Sequence, residues 1–275
     1  MKTSSKTSLI ALTIISTVTG SYAAGTASDT SANYTAGWGV STTPNNGSGF
    51  GSWSVADNAG SSGPYAGTYL DLSSYNNAGD TVLTGGSSWG TYANGGSGNG
   101  YIDLTRNFSA GASGSSSLYN QTFSFALSSG GIGNAGSSVS AMIGTAFNLS
   151  YAGGGADNFT LSVDGGAANA VSVNFSQLAA GLNVSLAVSG ALNSMMEGYS
   201  LTISPFAGGA AIYSTSGTFD SSVFNTSSFT FADNNTASNQ YFNNLNITAE
   251  TAVPEPRSLA MVAGGLAALL GLRRR

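Results

Sequence analysis

The chain of 275 residues contains no cysteine and no histidine, and only 7% of its residues are charged. Without cysteine it forms no disulfide bond, thiolate metal site or thiol nucleophile. Without histidine it lacks the commonest general base and metal ligand of proteins. We therefore predict no cofactor and no metal held by nitrogen or sulfur ligands, and any catalysis would depend on carboxylates, tyrosines or hydroxyls.

Positive charge is nearly confined to the two ends of the chain. Arg106 is the only basic residue between residues 24 and 252, and the same stretch holds eleven acidic residues. Nucleic-acid binding needs a basic surface opposite the phosphates. The sequence therefore predicts no nucleic-acid partner.

The N-terminal segment, residues 1–23, has the three regions of a secretory signal peptide. Lys2 and Lys6 lie in a polar start, residues 9–18 form an apolar run, and Ser21 and Ala23 are the small residues of a cleavage site. The apolar run is too short to span about 30 Å of hydrocarbon. We predict cleavage after Ala23 and export of the mature chain.

The sequence pattern in the body of the chain indicates strands and turns. Residues 24–47 are mostly small and polar, which predicts a flexible leader, and residues 48–250 form the predicted domain. Within it, large apolar residues alternate with Ser, Thr and Asn, as in residues 122–127 and 182–188. Asp164-Gly165 predicts a hairpin turn, and an irregular spacing in residues 241–248 predicts a bulge in the last strand.

We therefore predict an all-β fold, an antiparallel β-sandwich or jelly roll of about ten to twelve strands. A β-solenoid is also rich in Gly, Ser and Asn, but it repeats at a fixed period, which residues 100–250 do not show. An autotransporter passenger would be followed by amphipathic barrel strands, and no such run follows this body.

The C-terminal segment combines a proline motif, an uncharged apolar run and a basic end. These parts are Val253-Pro254-Glu255-Pro256, residues 258–272, and Arg273-Arg274-Arg275. The prolines keep the motif extended, and the arginines keep the end of the chain in the cytoplasm. A 15-residue helix is about 22 Å long, shorter than about 30 Å of hydrocarbon, which predicts a transient membrane stop.

The order, spacing and position of these parts resemble the PEP-CTERM sorting signal of Gram-negative bacteria. The resemblance covers residues 253–275 and implies that an exosortase, a membrane enzyme, recognises Pro254, Glu255 and Pro256. It also implies a surface or extracellular cargo protein in exopolysaccharide-producing bacteria. A plain C-terminal anchor and a glycolipid-anchor signal are the alternatives, although the latter normally ends in apolar residues.

The body also resembles the concanavalin-like jelly-roll domains found with such tails. Four short segments carry this resemblance: residues 49–53, residues 88–92, residues 106–124 and residues 242–247. It implies a lectin-like sandwich without implying a particular ligand.

Aromatic residues in the first third of the chain suggest a carbohydrate site. Trp53, Trp89 and Tyr92 lie near Asn and Asp residues, and sugar rings stack on aromatic faces while polar neighbours bind their hydroxyls. The alternative is that these rings fill the core of the sandwich.

Two other kinds of site are weaker. Asp57, Asp71 and Asp80 could supply oxygen ligands to calcium, but they lack a calcium-loop spacing, and turn formation explains them better. Glu197 or an aspartate pair could serve a glycosidase, which needs two carboxylates about 5 to 10 Å apart, yet no clustered motif is present. We predict no catalytic residue and no metal site.

Two functional hypotheses follow. The first is a non-enzymatic surface or matrix protein, sorted by an exosortase after transient insertion in the inner membrane and associated with exopolysaccharide or a biofilm matrix. The second is a carbohydrate-active enzyme, a glycosidase or lyase, on a lectin-like sandwich.

Overall fold

The computed structural model describes residues 26–34, 38, 46–58, 65–94, 100–108, 121–133, 135–153, 159–163, 167, 169–189, 196–220 and 227–249. Within these residues the chain forms fifteen antiparallel strands and one short α-helix, α1 (Phe175–Ala179). The predicted all-β fold is confirmed. The strands are β1 (Ala27–Asp29), β2 (Phe50–Asp57), β3 (Tyr65–Leu72), β4 (Ser87–Asn94), β5 (Tyr101–Phe108), β6 (Gln121–Ser129), β7 (Ser138–Ile143), β8 (Phe147–Ala152), β9 (Phe159–Val163), β10 (Asn169–Val171), β11 (Leu182–Ser189), β12 (Met196–Pro205), β13 (Tyr213–Asp220), β14 (Ser228–Asn234) and β15 (Asn239–Ala249).

The strands form two sheets. Sheet A has eight strands in the order β13-β12-β11-β6-β15-β4-β3, and β1 also pairs with β15. Sheet B has seven strands in the order β10-β9-β8-β7-β14-β5-β2. The chain crosses between the sheets several times, so that β5 and β14 of sheet B are each followed by a strand of sheet A.

Alternation along the strands produces the core between the two sheets. On β6, Phe123, Phe125 and Leu127 are buried in the core cluster. They pair with Leu186, Val184 and Leu182 on the neighbouring strand β11, which are equally buried. Burial of each such side chain stabilises the fold by about 1.5–3 kcal/mol.

Aromatic rings join the sheets at the centre of this core. Phe231 on β14 stacks on Phe242 on β15 with ring centroids 4.5 Å apart. Trp89 lies 5.3 Å from Phe242 and 5.5 Å from Trp53, again between ring centroids. Such pairs contribute about 0.5–1.5 kcal/mol beyond the area that they bury.

The described part of residues 24–47 differs from the predicted flexible leader. Ala27–Asp29 form β1, which pairs with residues 245–247 of β15. Tyr34 and Trp38 are both buried in the core. This part of the chain packs into the sandwich because two aromatic rings and a strand edge hold it there, although its composition is that of a loop.

A buried ion pair fixes this N-terminal segment. Asp29 accepts hydrogen bonds from Arg106, from the Tyr34 hydroxyl at 2.6 Å and from the Asn33 amide at 2.8 Å. Arg106 Nε donates to the Gly51 carbonyl at 2.7 Å. The single basic residue between residues 24 and 252 therefore ties β1 to sheet B.

Local differences from the predicted strands have clear causes. The short apolar segment of residues 81–83 forms a loop, which buries Val82 over the outer side of sheet A. Residues 171, 173 and 175 continue the apolar alternation, but β10 ends at Val171 because Asn174 and Gln177 form a capping box that starts α1. Three-residue strands such as β1 and β10 raise the strand number above the predicted ten to twelve.

Two predicted details hold. The bulge in the last strand is confirmed, since the pairing of β15 with β6 shifts between Asn243 and Asn246. Strands β9 and β10 pair as an antiparallel hairpin, although the turn at residues 164–166 lies outside the described residues.

The two predicted terminal signals also lie outside the described residues. They are the signal peptide with its cleavage site at Ala23, and the C-terminal segment with the motif Val253, Pro254, Glu255 and Pro256 and the basic end Arg273, Arg274 and Arg275. Both stay predictions. In the part of the chain that the structure describes, no helix has the length and apolar character needed to cross a membrane.

Candidate functional site

The two tryptophans predicted as sugar platforms are inside the protein. Trp53 is 4% exposed and Trp89 is fully buried, and both belong to the core between the sheets. Neither ring can stack on a sugar, which corrects their predicted role. Trp89 lies between Ser88 and Gly90 on β4, and this alternation places the large ring inward and its two small neighbours outward.

Tyr92 lies on the opposite side of sheet A, where tyrosines collect. The outward positions of β3 and β4 are those that alternate with the buried Leu70 and Trp89. We call this surface the tyrosine face; its residues are Tyr65, Gly67, Tyr69 and Asp71 on β3 and Ser88, Gly90, Tyr92 and Asn94 on β4.

The tyrosines of this face form a graded series from solvent to interior. Tyr65 is 72% exposed, Tyr92 and Tyr69 are half-buried, and Tyr241 on β15 is fully buried. The ring centroids of Tyr92 and Tyr69 are 6.3 Å apart, and those of Tyr69 and Tyr241 are 6.5 Å apart. Tyr65 and Tyr92 are diagonal neighbours on the paired strands. Residues in this relation are about 7–8 Å apart.

Two glycines make this arrangement fit. A Cβ atom at Gly67 would lie 2.5 Å from the Tyr92 hydroxyl oxygen, and one at Gly90 would lie 2.5 Å from Cζ of Tyr69. Each tyrosine ring therefore lies flat across the backbone of the neighbouring strand. Any larger residue at either position would push the ring away from the sheet.

A pair of carboxyl groups lies at the buried end of the tyrosine face. Asp71 accepts hydrogen bonds from the Leu72 backbone N–H at 3.0 Å and from the Asn77 amide at 2.7 Å. Asp80 accepts from the Ser88 hydroxyl at 2.6 Å and contacts the carboxyl of Asp71. Burial, together with the nearby Asp71, raises the pKa of Asp80 to about 7.

The hydroxyl groups around this pair lack hydrogen-bond partners. The pKa values of Tyr69 and Tyr241 are raised, above all by burial. The two hydroxyl oxygens interact with one another, and the Asn239 side chain lies near that of Tyr241. Among the described residues, however, neither hydroxyl has a partner at hydrogen-bond distance and angle. Oδ1 of Asp80 is likewise buried without a donor. Buried polar atoms are nearly always paired in folded proteins, so this cluster is unusual.

The other end of the outer side of sheet A is polar, and Asp220, at the end of β13, is the only charged residue at its described outward positions. Rows of hydroxyls run across the strands in register; one such row is Ser124, Ser185, Thr202 and Ser214. We call this surface the hydroxyl face; it comprises Thr122, Ser124, Asn183, Ser185, Ser200, Thr202, Ser204, Ser214, Ser216 and Thr218. Val82 and Phe206 cover Ala126 and Tyr241 between the hydroxyl face and the tyrosine face.

The described residues assemble no other acidic site. Asp57 lies on β2 of sheet B, so only Asp71 and Asp80 of the three predicted oxygen donors come together. Glu197 lies on β12, and β11, β6, β15 and β4 separate that strand from β3. Among the residues with described positions, no group of three or more Asp and Glu side chains could hold a metal ion.

An open cleft lies at the end of the sandwich near α1. It has a volume of about 310 Å³ and is lined by Ile132, Tyr151, Phe175 and neighbouring glycines. Its described walls carry no charged side chain. Besides the tyrosine face, this cleft is a surface that could accept a small uncharged ligand.

Comparison with known proteins gives little guidance. No protein-family model matches the chain, and no curated protein matches it. The chain is similar to a receptor-binding domain in a crystal structure, with 11% identity and a TM-score of 0.41, and to the binding domain of botulinum neurotoxin DC in complex with rat synaptotagmin II, with 12% identity and a TM-score of 0.34. Each match covers 78% of this chain and 46% of the other chain, so this chain spans about half the length of those structures.

Proposed function

We propose that this protein is an exported, non-enzymatic β-sandwich protein that binds a neutral polysaccharide on its tyrosine face. The observation that carries this proposal is the juxtaposition of the 72% exposed Tyr65, the half-buried Tyr92 and the exposed Asn94 on two paired strands. Aromatic rings offer an apolar platform with a polar edge, and the amide binds sugar hydroxyls.

The geometry of this face suits a sugar polymer. Tyr65 is opposite Asn94, and Tyr92 is opposite Gly67 one pair further along, so two rings and one amide face the same side. The rings of Tyr92 and Tyr69 are held against the sheet by glycines, which lowers the entropy that binding would cost. Rigid tyrosines on a sheet form a preorganised surface for ring stacking.

Charge favours a neutral partner. The chain has a net charge of −5, and its body contains one basic residue, Arg106, which is fully buried in an ion pair. An anionic polysaccharide would therefore meet repulsion and no exposed arginine or lysine of the described body. The hydroxyl face supports the same conclusion, because it offers hydrogen bonds without charge to a hydrated polymer.

The terminal sequences supply the location in this proposal. The signal peptide directs export, the C-terminal helix holds the chain briefly in the inner membrane, and an exosortase recognises Pro254, Glu255 and Pro256. The cargo then reaches the outer surface or the exopolysaccharide matrix. If the variant Pro254→Ala/Glu255→Ala/Pro256→Ala fractionates and is processed like the wild type, this part of the proposal is wrong.

The enzymatic alternative has one observation in its favour, the pair Asp71 and Asp80. A glycosidase needs its carboxyl groups about 5 Å or more apart, with the sugar between them. These two carboxyls are in contact, and a loop covers them. A purified chain that cleaves a polysaccharide, with activity lost in Asp80→Asn, would establish the enzyme instead.

The binding proposal is tested by a screen of the purified chain against neutral and acidic polysaccharides by affinity gel electrophoresis. We expect retardation by at least one neutral polymer and none by acidic ones such as alginate. Retardation by acidic polymers alone would contradict the proposal. The variant Phe175→Ala locates the site, because it alters the cleft near α1 and leaves the tyrosine face intact.

A further inference from the structure

We propose that Asp71 and Asp80 form a binding site for a calcium ion between the tyrosine face and the loop of residues 76–86. The proposal does not require polysaccharide binding, although Asp71 lies at the buried end of the same tyrosine face. It rests on the contact between the two carboxyl groups, on buried oxygen atoms that have no partner, and on a loop that is anchored around them.

The fold forces the two carboxyl groups together. Asp71 points outward from β3 and is 1% exposed. Ser88 is its cross-strand partner on β4, and the Ser88 hydroxyl donates to Asp80 at 2.6 Å. Two ionised carboxylates in contact repel each other strongly. A positive charge between them removes that repulsion.

The oxygen atoms nearby indicate that a further species belongs there. Tyr241 is fully buried, and the charges of Asp71 and Asp80 both act on its hydroxyl. Tyr69 and Asn239 lie near this hydroxyl, but no described residue meets it at hydrogen-bond distance and angle. The Tyr69 hydroxyl oxygen and Oδ1 of Asp80 are buried atoms that likewise have no hydrogen-bond partner among the described residues, although the Val82 N–H lies near the Asp80 carboxyl. A hydrated cation satisfies all three groups at once, since its waters donate to the carboxylate and exchange hydrogen bonds with the phenols.

The chemistry of the donors selects a hard cation. Every candidate ligand in this cluster is an oxygen, and calcium prefers six to eight oxygens from carboxylates, carbonyls and water. Two carboxylates neutralise its charge completely. Magnesium needs stricter octahedral geometry and holds its waters more firmly, so we expect calcium to bind more tightly.

The loop that carries Asp80 is already fixed in place. Gly79 has a φ of 84°, and a Cβ atom there would lie 2.4 Å from Cα of Gly130. The Thr81 hydroxyl donates to the Ala179 carbonyl at 3.0 Å, and the Asn243 amide donates to the Val82 carbonyl at 3.0 Å. Because these contacts do not involve the carboxyls, the site is preorganised for an ion.

The two buried tyrosines provide the assay. Terbium(III) replaces calcium at oxygen sites, and light absorbed by Tyr69 and Tyr241 transfers to a terbium ion bound beside them. We expect the purified full chain to give saturable, tyrosine-sensitised terbium emission that calcium displaces. Asp80→Asn keeps the shape of the side chain and removes one charge, so its terbium affinity should fall about tenfold or more.

Asp103→Asn is the matched control, because Asp103 is a half-buried carboxyl on β5 of sheet B. It should bind terbium like the wild type. Saturable emission that is equal in the wild type and in Asp80→Asn, or no saturable emission, overturns the proposal.

Thermal unfolding gives a second readout that does not depend on luminescence. Calcium should raise the Tm of the wild type and of Asp103→Asn, and at the same concentration it should raise that of Asp80→Asn by clearly less, because the gain depends on the affinity of the folded state for the ion. If Asp80→Asn raises the Tm without calcium and calcium changes nothing in any variant, the carboxyl pair shares a proton and holds no ion.

Discussion

Arg106 and Asp29 form an ion pair that connects the two sheets inside the sandwich. Arg106 lies on β5 of sheet B, Asp29 lies on β1 of sheet A, and neither side chain has any exposed surface. The guanidinium carbon is also 4.9 Å from the centroid of the Phe50 ring and 5.0 Å from that of Trp53. The pair therefore holds the N-terminal segment in the aromatic core.

Removal of one partner should destabilise the fold severely. Arg106→Met leaves the Asp29 carboxylate buried without a cation, so we expect the free energy of unfolding to fall by about 3–5 kcal/mol. Urea denaturation followed by tryptophan fluorescence measures it. The double variant Asp29→Leu/Arg106→Met should be less destabilised than the sum of the two single variants. Neutral surface substitutions change the free energy of unfolding by about 0.5 kcal/mol or less. If Arg106→Met changes it by no more than that, the ion pair does not hold the fold together.

Trp38 should make a similar contribution from within the predicted leader. Its ring is 3% exposed and lies 6.0 Å from Trp53 and 6.2 Å from Trp89, measured between ring centroids. We expect Trp38→Ala to lower the free energy of unfolding by about 3–5 kcal/mol. Tyr75→Ala, at a 58% exposed aromatic position, is the control and should change it by less than about 0.5 kcal/mol.

Gly90 should tolerate no side chain while Tyr69 covers it. We expect Gly90→Ala to lower the free energy of unfolding by about 1–3 kcal/mol, because the new methyl group meets the Tyr69 ring. Gly133→Ala is the matched control, since a Cβ atom there has none of the described residues within 4 Å. Equal stability of the two alanine variants would show that the ring moves aside at no cost.

Asp233 should make the stability depend on pH. It is buried between the sheets and accepts hydrogen bonds from Thr236 at 2.7 Å and Thr91 at 3.1 Å, and burial raises its pKa to about 7. The folded state therefore holds this proton more tightly than the unfolded state. Its contribution to stability is complete below about pH 4 and is lost as the pH rises through about 7.

This pH dependence can be assigned by substitution. Between pH 5 and pH 8 we expect the free energy of unfolding of the wild type to fall, with about 2–3 kcal/mol of that fall due to Asp233. The decrease should shrink by about this amount in Asp233→Asn. An identical pH profile in the two proteins would contradict the assignment to Asp233.

The sequence predicted the fold class because alternation is a local signal. Phe123, Phe125 and Leu127 on one side of β6 and Thr122 and Ser124 on the other follow from the period of a strand alone. The sequence also predicted the bulge in β15, because an extra residue breaks the strand period between Asn243 and Asn246. These features depend on residues that are neighbours in the chain.

The position of the leader and the location of the site depend on distant contacts. Asp29 and Arg106 are 77 residues apart, and the carboxyls of Asp71 and Asp80 meet only because a loop folds back over Ser88. A pattern of neighbouring residues in the sequence does not predict contacts between side chains that are far apart in the chain. The inward direction of Trp89 and the outward direction of Tyr92 could have been inferred, however, since an odd separation on one strand places the two rings on opposite sides.

Polysaccharide binding by Tyr65 is the most direct test of the central claim. With a neutral polysaccharide that retards the wild type, isothermal titration calorimetry compares Tyr65→Ala with Tyr75→Ala, both of which remove an exposed tyrosine. Stacking on one aromatic ring is worth about 0.5–1.5 kcal/mol, so Tyr65→Ala should weaken binding about two- to twelvefold and Tyr75→Ala should leave it unchanged. Equal affinity of Tyr65→Ala and the wild type would contradict the account.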